Sequence, residues 1–218
     1  HRRFVVFDTN HDHVGNTPAG ARMLADAEPG DPRHRLAAAV ILLSPFTPML
    51  FMGEEYGETA PFPYFIDHGD DDLVEAVRQG RRREFADAVG SGDVADPADP
   101  ATFEAAVLDV TLTEHEPHRS RLAMYTELLR IRRDHPVLTD PAARQQVSTV
   151  DDAVVVVRST PTATASLILN FAAKGVGHPA EDPNEFVVFD TDDERWGGPG
   201  HQPSAIGAWA ARLRVRRD

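Results

Sequence analysis

The sequence predicts an α/β region followed by an all-β region. In the first part, apolar strand-like runs alternate with polar loops and helix-like segments, which is the pattern of an α/β sheet. After Asp140, short apolar runs are separated by turn residues with no comparably strong helix between them, which is typical of a small antiparallel β domain. Hydrophobic residues make up 41% of the 218 residues, enough for one large domain or two small ones. We therefore predict two domains, residues 1–140 and residues 141–218.

The first predicted strand is the run Phe4 to Phe7, whose continuous apolar pattern is that of a parallel strand buried on both faces. The polar residues Asp8 to Asn16 then predict a loop at its carboxyl end. After a turn at Phe46 to Pro48, a second buried strand is predicted at Met49 to Met52, and it ends in the polar loop Gly53 to Gly57. Such loops, at the carboxyl ends of parallel strands, are where functional groups lie.

Two helices are predicted from their first residues. Asp31 and Pro32 predict the start of a helix over Arg33 to Leu43, because proline suits the first helical position. Asp70 can cap a helix over Asp72 to Ala86. The apolar positions of this second helix are Leu73, Val77 and Phe85.

The clearest helix comes after a loop predicted from Val89 to Thr102. It begins near Pro117 and ends at His135, before a second proline. Its apolar residues recur at spacings of three and four: Leu122, Tyr125 and Leu129. The apolar runs of the all-β region are Val154 to Val157, Leu167 to Phe171, Phe186 to Phe189 and Leu213 to Val215.

The composition excludes several classes of function. The absence of cysteine excludes a disulfide scaffold, a cysteine nucleophile and any thiolate metal site. The formal net charge of −13 argues against nucleic acid or an anionic membrane as the main partner and favours a neutral substrate. The apolar stretch Leu36 to Met52 is interrupted by Pro45 and Pro48, so we predict no membrane span. We expect a cytoplasmic protein that needs no cofactor.

The first residue is His1, and no initiating methionine or signal peptide precedes the first predicted strand. We therefore expect that an N-terminal part of the same protein is missing from this chain.

The densest polar cluster, Asn10 to His13, directly follows the first predicted strand. At the carboxyl end of a parallel strand, such a cluster is a place for a catalytic carboxylate. A metal site is an alternative, in which His11 and His13 point to one side and Glu54 or Glu55 adds a ligand. A hydrogen-bonded polar loop without chemistry is the third possibility.

Asn10-His11-Asp12, followed by Gly15 and Asn16, resembles a motif of the α-amylase superfamily, glycoside hydrolase family 13. Phe51 to Gly57 resembles the region after the eighth barrel strand in the same superfamily. Three further segments are similar to the maltooligosyltrehalose trehalohydrolases of that superfamily: Pro61 to His68, Gly80 to Phe85 and Asp96 to Phe103. The resemblance implies the last two strands and helices of a (β/α)₈ TIM barrel, followed by a C-terminal antiparallel β-sandwich. Four positions depart from the Gln, Gln, Arg and Asp expected in the family: Thr9, His13, Thr17 and Ala21.

The resemblance implies retaining hydrolysis of the α-1,4-glucosidic bond next to the trehalose end of maltooligosyltrehalose. In that reaction Asp12 binds sugar hydroxyls and stabilises the transition state, while Asn10 and His11 contact the substrate. Retaining hydrolysis also needs a nucleophilic carboxylate and a carboxylic acid roughly 5 to 5.5 Å apart. No segment matches the family motifs for these two groups, so we expect the chain alone to be inactive. Tyr64 and Phe65 are candidates to stack on a sugar ring, with a core role as the alternative.

Several alternatives stay open. The rival functions are another family 13 enzyme, such as a glucan branching enzyme, and a noncatalytic glycan-binding module built on the β domain. Glu54 and Glu55 suggest a carboxylate pair, but adjacent strand residues point to opposite faces. The run Arg81 to Arg83 predicts either an anion site or, with more support, a solvated helix face. His115 and His118 predict either metal ligands or exposed residues of a first helical turn.

Overall fold

The computed structural model describes residues 4–23, 30–89, 94–177 and 184–217, which form two compact units. Unit 1 takes in the described residues within His1–Asp8, Glu28–Met49 and Thr113–Asp218. Unit 2 takes in those within Thr9–Ala27 and Leu50–Leu112. No helix in the described ranges combines the length and the apolar character needed to cross a membrane.

The helices of the described ranges confirm the three main helical predictions, with shifts at their ends. The helix predicted at 33–43 spans Pro32–Leu42, the one at 72–86 spans Asp71–Val89, and the one at 117–135 spans His118–Asp134. The predicted loop at 89–102 lies partly outside the described residues, and its last residues belong to a helix. The helices are α1 His11–Gly15, α2 Pro32–Leu42, α3 Asp71–Val89, α4 Pro100–Glu104 and α5 His118–Asp134, with 3₁₀ turns at Val110–Glu114, Pro136–Leu138 and Glu194–Trp196.

The strands fall into a parallel pair near the start of the chain and an antiparallel region near its end. The four apolar runs predicted in the all-β region coincide with strands, except that Phe171 lies just beyond the end of its strand, and three further strands there lacked a sequence signal. The strands are β1 Val5–Val6, β2 Thr47–Pro48, β3 Arg144–Val150, β4 Ala153–Thr160, β5 Ala163–Asn170, β6 Val176–Gly177, β7 Phe186–Asp190, β8 Ala205–Ile206 and β9 Ala210–Arg217.

In unit 1, α2 begins where its sequence signals place it. Asp31 accepts a hydrogen bond from the backbone N–H of Arg33 at 2.8 Å, and Pro32 occupies the first turn. The helix lies against α5 and β9, and its buried face includes Leu36, Ala39 and Leu42. The cap and the buried apolar face both place α2 where the sequence predicts it.

The second strand of the parallel pair lies two residues earlier than predicted. β2 is Thr47–Pro48, so the prediction of a strand at Met49 to Met52 is wrong. The N–H groups of Thr47 and Met49 donate to Phe4 O and Val6 O, at 3.0 and 2.9 Å. Pro48 lies between these two donors, at a position where the strand pairing requires no N–H group directed at β1. Proline, which has no N–H group, is therefore tolerated there.

The expected burial of the first strand on both faces is also wrong. β1 pairs with β2 alone in the described part of the chain, and Phe4 and Val5 are 66% and 55% exposed. A parallel pair of two-residue strands cannot cover both of its faces. The ring of Phe4 contacts that of Phe46 edge to face, at a centroid distance of 6.2 Å.

The rest of unit 1 is built on a five-stranded antiparallel sheet in the order β3-β4-β5-β9-β7. Leu213 on β9 is fully buried and lies opposite Leu167 on β5 and Phe189 on β7. The short strands β6 and β8 form a separate two-stranded sheet. One buried cluster contains residues from both sheets: Ala153, Val155, Ile168, Val176, Ile206 and Ala210.

Helix α5 buries a different face from the one predicted. Tyr125 is buried as expected, but Leu129 is 44% exposed and Leu122 only partly buried. The buried residues are Met124, Tyr125, Leu128 and Ile131. The spacing of three and four is correct, but the buried face is set by residues 124, 128 and 131 and not by 122 and 129.

In unit 2, the long helix α3 and the short helices α1 and α4 are joined by extended segments and turns. Asp70 caps α3 as predicted, because its carboxylate accepts from the N–H of Leu73 at 3.1 Å. Most of the described α3 side chains are exposed, including the predicted apolar residue Leu73. Gly80 in mid-helix has open space where a Cβ would lie.

Candidate functional site

The polar cluster after β1 is a short helix and not the loop that its composition predicted. Asn10 has an extended backbone, and its side-chain Oδ1 accepts from the N–H of His13 at 2.9 Å. Asparagine is one of the residues that cap helices in this way. This cap begins helix α1 at His11, so His11 and Asp12 lie in its first turn.

His11 and Asp12 present their polar atoms to solvent. The His11 Nε2 and Asp12 Oδ1 atoms are 3.3 Å apart, and the two side chains are 71% and 69% exposed. An exposed carboxylate can accept hydrogen bonds from the hydroxyl groups of a neutral ligand, and a neighbouring imidazole can donate or accept them. The site residues predicted with most support therefore lie adjacent to each other and are accessible.

Arg81 holds the other end of α1. Its guanidinium donates to the backbone oxygen of Gly15 at 2.8 Å and lies 3.4 Å from Oδ1 of Asn16. It also pairs with Glu84 at 3.1 Å. Arg81 is buried, so the prediction of a solvated helix face is wrong for this residue, although it holds for the exposed Arg82 and Arg83.

The two aromatic candidates have different surroundings. Tyr64 is 40% exposed, and the guanidinium of Arg81 lies over its ring at 4.9 Å from the centroid. Phe65 is partly buried and makes edge-to-face contacts with Phe62 and Phe103, at centroid distances of 5.6 and 5.2 Å. Phe65 is therefore placed as a packing residue, whereas Tyr64 keeps an accessible surface.

Glu54 and Glu55 lie in a turn, so the expected opposite orientation on a strand does not apply to them. Oε2 of Glu54 accepts from the N–H of Phe51 at 3.0 Å and from Oγ1 of Thr9 at 3.3 Å. Glu54 therefore stabilises its own turn and contacts the residue that precedes Asn10.

Glu58 is the buried acid of this region. Its carboxylate accepts from the Tyr56 hydroxyl and from the N–H groups of Thr59, Ala60 and Asp109, all at 2.8 Å. Burial alone would raise the pKa of Glu58, but the hydrogen bonds from Ala60, Tyr56, Asp109 and Thr59 hold it below its usual value. Burial and the Glu58 carboxylate raise the pKa of Tyr56. Glu58 thus ties the turn at 53–60 to residue 109 as an ionised acceptor.

Gly53 and Arg22 complete this turn. Gly53 has a φ of +88°, and a Cβ there would lie 2.6 Å from the Cβ of Glu58, so glycine is required by both backbone and space. Arg22 donates to the backbone oxygens of Met52 at 2.8 Å and Ala60 at 2.6 Å. Burial lowers the pKa of Arg22, and nearby carboxylates, Glu58 first, oppose this shift.

No group of three His, Asp or Glu side chains among the residues that the structure describes is arranged to hold a metal ion. His11 contacts Asp12, but the proposed third ligand from Glu54 or Glu55 is not brought to it. The alternative of a metal site at this cluster therefore has no geometric support.

No family model matches the sequence. Individual proteins do match it. The chain is 47% identical over 146 residues to the malto-oligosyltrehalose trehalohydrolase of Arthrobacter ramosus, and 35% identical over 191 residues to that of a Rhizobium species. A third enzyme of the same name, from Saccharolobus solfataricus, is 41% identical over 135 residues. The chain is a homologue of the malto-oligosyltrehalose trehalohydrolases.

The matched regions cover 66%, 87% and 61% of this chain but only 24%, 31% and 21% of those trehalohydrolases. The chain thus spans about a fifth to a third of the length of these relatives. This partial coverage fits the predicted correspondence to a C-terminal portion of a trehalohydrolase. The name carried by these relatives does not favour the alternative of a branching enzyme.

Solved structures place the chain in the α-amylase family of folds. A Salmonella typhimurium structure, provisionally assigned as an α-amylase, superimposes with a TM-score of 0.78 at 35% identity, over 98% of this chain and 35% of that one. The trehalose-6-phosphate hydrolase of Bacillus licheniformis superimposes with a TM-score of 0.60 at 16% identity, over 98% of this chain and 43% of that one. The second likeness concerns the fold alone.

The sequence contained a signal for one of the buried charged residues and none for the other. Arg81 lies four residues after Val77 and four before Phe85, so helical spacing puts it on the same face as these predicted apolar positions. The burial of Arg81 was therefore predictable. Glu58 follows Gly57 in a polar turn, and nothing in that pattern distinguishes it from Glu54 or Glu55.

Proposed function

We propose that this chain is the C-terminal portion of an enzyme that hydrolyses the α-1,4-glucosidic bond next to the trehalose end of maltooligosyltrehalose. The observation that carries the proposal is the identity of 47% over 146 residues with an enzyme of that name. In this proposal residues 1–140 are the last strands and helices of a (β/α)₈ barrel, and residues 141–218 are a C-terminal β-sandwich domain. The parallel pairing of β1 with β2 supports the barrel assignment, and the antiparallel order β3-β4-β5-β9-β7 supports a C-terminal β domain.

The proposed role of Asp12 is to hydrogen-bond sugar hydroxyls and stabilise the transition state of a retaining hydrolysis. Charge develops on the sugar ring in that transition state, and hydrogen bonds from the ring hydroxyls to a fixed carboxylate strengthen as it forms. The proposal is supported by the exposure of the Asp12 carboxylate, which leaves its oxygens accessible to hydroxyl groups, and by the adjacent imidazole of His11. Asn10 acts through the α1 cap and not through a free amide oxygen, because Oδ1 is bonded to the N–H of His13.

Tyr64 is the aromatic side chain that supports a sugar contact, since part of its surface is exposed. Phe65 is better explained by packing between Phe62 and Phe103. The nucleophile and the general acid of the reaction are proposed to lie in the part of the enzyme that precedes these 218 residues. The substrate class is a neutral α-glucan, and the missing N-terminal part is the partner that this chain needs for activity.

The test is the substitution Asp12→Asn in the complete enzyme that contains this chain. We expect kcat to fall by about 10²- to 10³-fold with maltooligosyltrehalose, because a fixed electrostatic contact to the transition state is lost. Release of trehalose, separated by chromatography, is the measurement. The matched control is Asp71→Asn, an exposed aspartate in the first turn of α3, which should leave kcat unchanged.

Two results would count against the proposal. If the complete enzyme transfers glucan chains and releases no trehalose, the substrate assignment is wrong. If Asp12→Asn and Asp71→Asn behave alike, the role assigned to Asp12 is wrong, whatever the substrate.

A further inference from the structure

The C-terminal end of α1 takes its hydrogen-bond donor from another helix. α1 has five residues, and a helix this short is not stable by itself in water. The last carbonyl groups of a helix have no donor within the helix. For Gly15 the donor is Arg81 of α3, whose Nη2 lies 2.8 Å from the Gly15 oxygen. A cation at this end is also favoured by the helix dipole.

A second contact connects Arg81 to the backbone of Asp12. Nη1 of Arg81 lies 3.4 Å from Oδ1 of Asn16, the residue that ends α1. The N–H of Asn16 donates in turn to the backbone oxygen of Asp12 at 3.2 Å. Gly15 itself lies only about 4.5 Å further along the helix axis than Asp12. The guanidinium of Arg81 therefore holds the single turn of backbone from which the Asp12 carboxylate projects.

The same guanidinium contacts the ring of Tyr64. It lies 4.9 Å from the centroid of Tyr64 and 4.6 Å from that of Phe85, which follows Arg81 by one turn of α3. A planar guanidinium stacked on an aromatic ring favours one orientation of that ring. Because Tyr64 is 40% exposed, the orientation that Arg81 favours is also the one that the ring presents to a ligand.

Arg81 is placed to act through these neighbours and not on a ligand. The residue is only 9% exposed, and its Nη1 pairs with the carboxylate of Glu84 at 3.1 Å. Its charge is thus engaged by an acid of its own helix, and its donors are used by oxygens of α1. A buried cation with these partners connects α3, α1 and Tyr64.

We propose that Arg81 is a positioning residue that orients Asp12 and Tyr64 together for the sugar. The inference rests on the proposed function, which assigns Asp12 to the transition state and Tyr64 to a sugar contact. The bond to Gly15 acts through Asp12 and therefore on kcat, whereas the contact with the ring acts through Tyr64 on glucan binding and therefore on KM. Displacement of a positioned group by about 1 Å can lower the rate about 10²-fold.

Two substitutions in the complete enzyme separate these contacts. Arg81→Met keeps the buried stem but has no donor and no cation, so kcat should fall by about 10- to 100-fold and KM should rise by about 3- to 10-fold. Arg81→Lys keeps a donor for Gly15 but loses the planar group over the ring, so kcat should recover to within about 3-fold of wild type while KM stays raised. Arg83→Met, an exposed arginine of the same helix, is the matched control and should change neither.

A double variant tests whether the effect on KM passes through Tyr64. If it does, Arg81→Lys should raise KM no further once Tyr64→Ala is present, because the two substitutions remove the same interaction. Independent, multiplying effects on KM would contradict this part of the inference. A loss of kcat in Arg81→Lys as large as that in Arg81→Met would contradict the part that concerns Asp12.

Hydrogen exchange needs no substrate and therefore separates this inference from the proposed function. The amides of Val14 and Asn16 donate within and at the end of α1, and in Arg81→Met they should exchange about tenfold faster than in wild type. The Leu73 amide, capped by Asp70, is the internal reference and should not change.

The outcomes are distinct. Wild-type kcat and KM in Arg81→Met, beside a reduced kcat in Asp12→Asn, would overturn the inference and leave the proposed function standing. If the complete enzyme releases no trehalose, the proposed function is wrong, and the exchange of α1 then decides whether Arg81 fixes the backbone of Asp12. Unchanged exchange in α1 would overturn the inference whatever the substrate.

Discussion

Unit 1 and unit 2 are stabilised by different kinds of buried group. The least exposed side chains of unit 1 are mainly apolar, as in Leu42, Leu128 and Leu213, each fully buried. In the described part of unit 2, buried apolar side chains are few, and the buried polar residues Glu58 and Arg81 make the connections between distant segments. Unit 1 therefore has an extensive apolar core, which also contains buried charged groups such as the Arg212–Asp190 ion pair. Unit 2 has few buried apolar side chains and depends more on hydrogen bonds to charged groups.

The difference predicts how each unit fails. Loss of buried apolar volume leaves a cavity that the surrounding residues cannot fill, so unit 1 should be sensitive to truncation. Loss of a charged acceptor leaves several buried donors unsatisfied, so unit 2 should be sensitive to changes that barely alter volume. Substitutions in the two units test this contrast.

The largest effect is expected for Leu213→Ala in the centre of β9. The side chain is fully buried against neighbours on β5 and β7, so the free energy of unfolding should fall by about 2 to 5 kcal/mol. Urea denaturation followed by circular dichroism measures the change. Val147→Ala on the edge strand β3, where the side chain is 59% exposed, is the control and should change the free energy little. Equal effects of the two substitutions would contradict a packed core at β9.

A slightly smaller effect is expected for Glu58→Ala. The substitution leaves the Tyr56 hydroxyl and three backbone N–H groups without their acceptor, at a cost of about 2 to 4 kcal/mol. Hydrogen exchange of the Ala60 and Asp109 amides should accelerate. Glu104→Ala, at an exposed position of α4, should leave both amides protected. Unchanged protection in Glu58→Ala would mean that these amides have other acceptors.

The smallest effect is expected in the pH dependence, where the two units respond in different ranges. The lowered pKa of Glu58 gives stability that is complete above about pH 4.3, the usual glutamate value, and is lost as the pH falls below it. The pKa of His34 is lowered to about 4 by burial and by Arg121, Arg33 and Arg35, with Asp31 opposing. Because the unfolded chain takes up that proton first, stability falls as the pH drops from about 6.5 to 4.

Two conservative substitutions test which residue causes the loss of stability in each pH range. His34→Gln should flatten the decline between about pH 6.5 and 4 by about 1 to 2 kcal/mol, and Glu58→Gln should flatten only the part below about pH 4.3. Urea denaturation at a series of pH values provides the measurement. If either substitution flattened the range assigned to the other, the pKa shifts would be wrongly attributed.

Elements with a local signal were predictable from sequence, and elements set by a distant partner were not. The caps at Asp31 and Asp70 placed α2 and α3 to within a few residues, because the capping group lies beside the helix. β3 was missed because nearly all of its residues are exposed, so it has no apolar alternation. β2 was misplaced because its two residues are fixed by hydrogen bonds to β1, more than 40 residues away.

The candidate site shows the same division. The motif residues Asn10, His11 and Asp12 were identified from sequence, but their helical conformation depends on a cap that composition alone did not reveal. The connection from Arg81 to Gly15 spans 66 residues and could only be inferred in part, from the helical face that Arg81 shares with Phe85. The role of Glu58 depends on donors from residues 56 to 109 and had no sequence signal.

The position of Arg81 restricts how Tyr64 can meet a ligand. One face of the tyrosine ring is covered by the guanidinium at 4.9 Å, and that guanidinium is anchored by Gly15. In the proposed sugar contact, the faces of Tyr64 left for the sugar ring are the one opposite Arg81 and the hydroxyl edge. The cation also draws electron density toward the covered face, so the open face is a weaker partner for a second cation and remains suited to an uncharged ring.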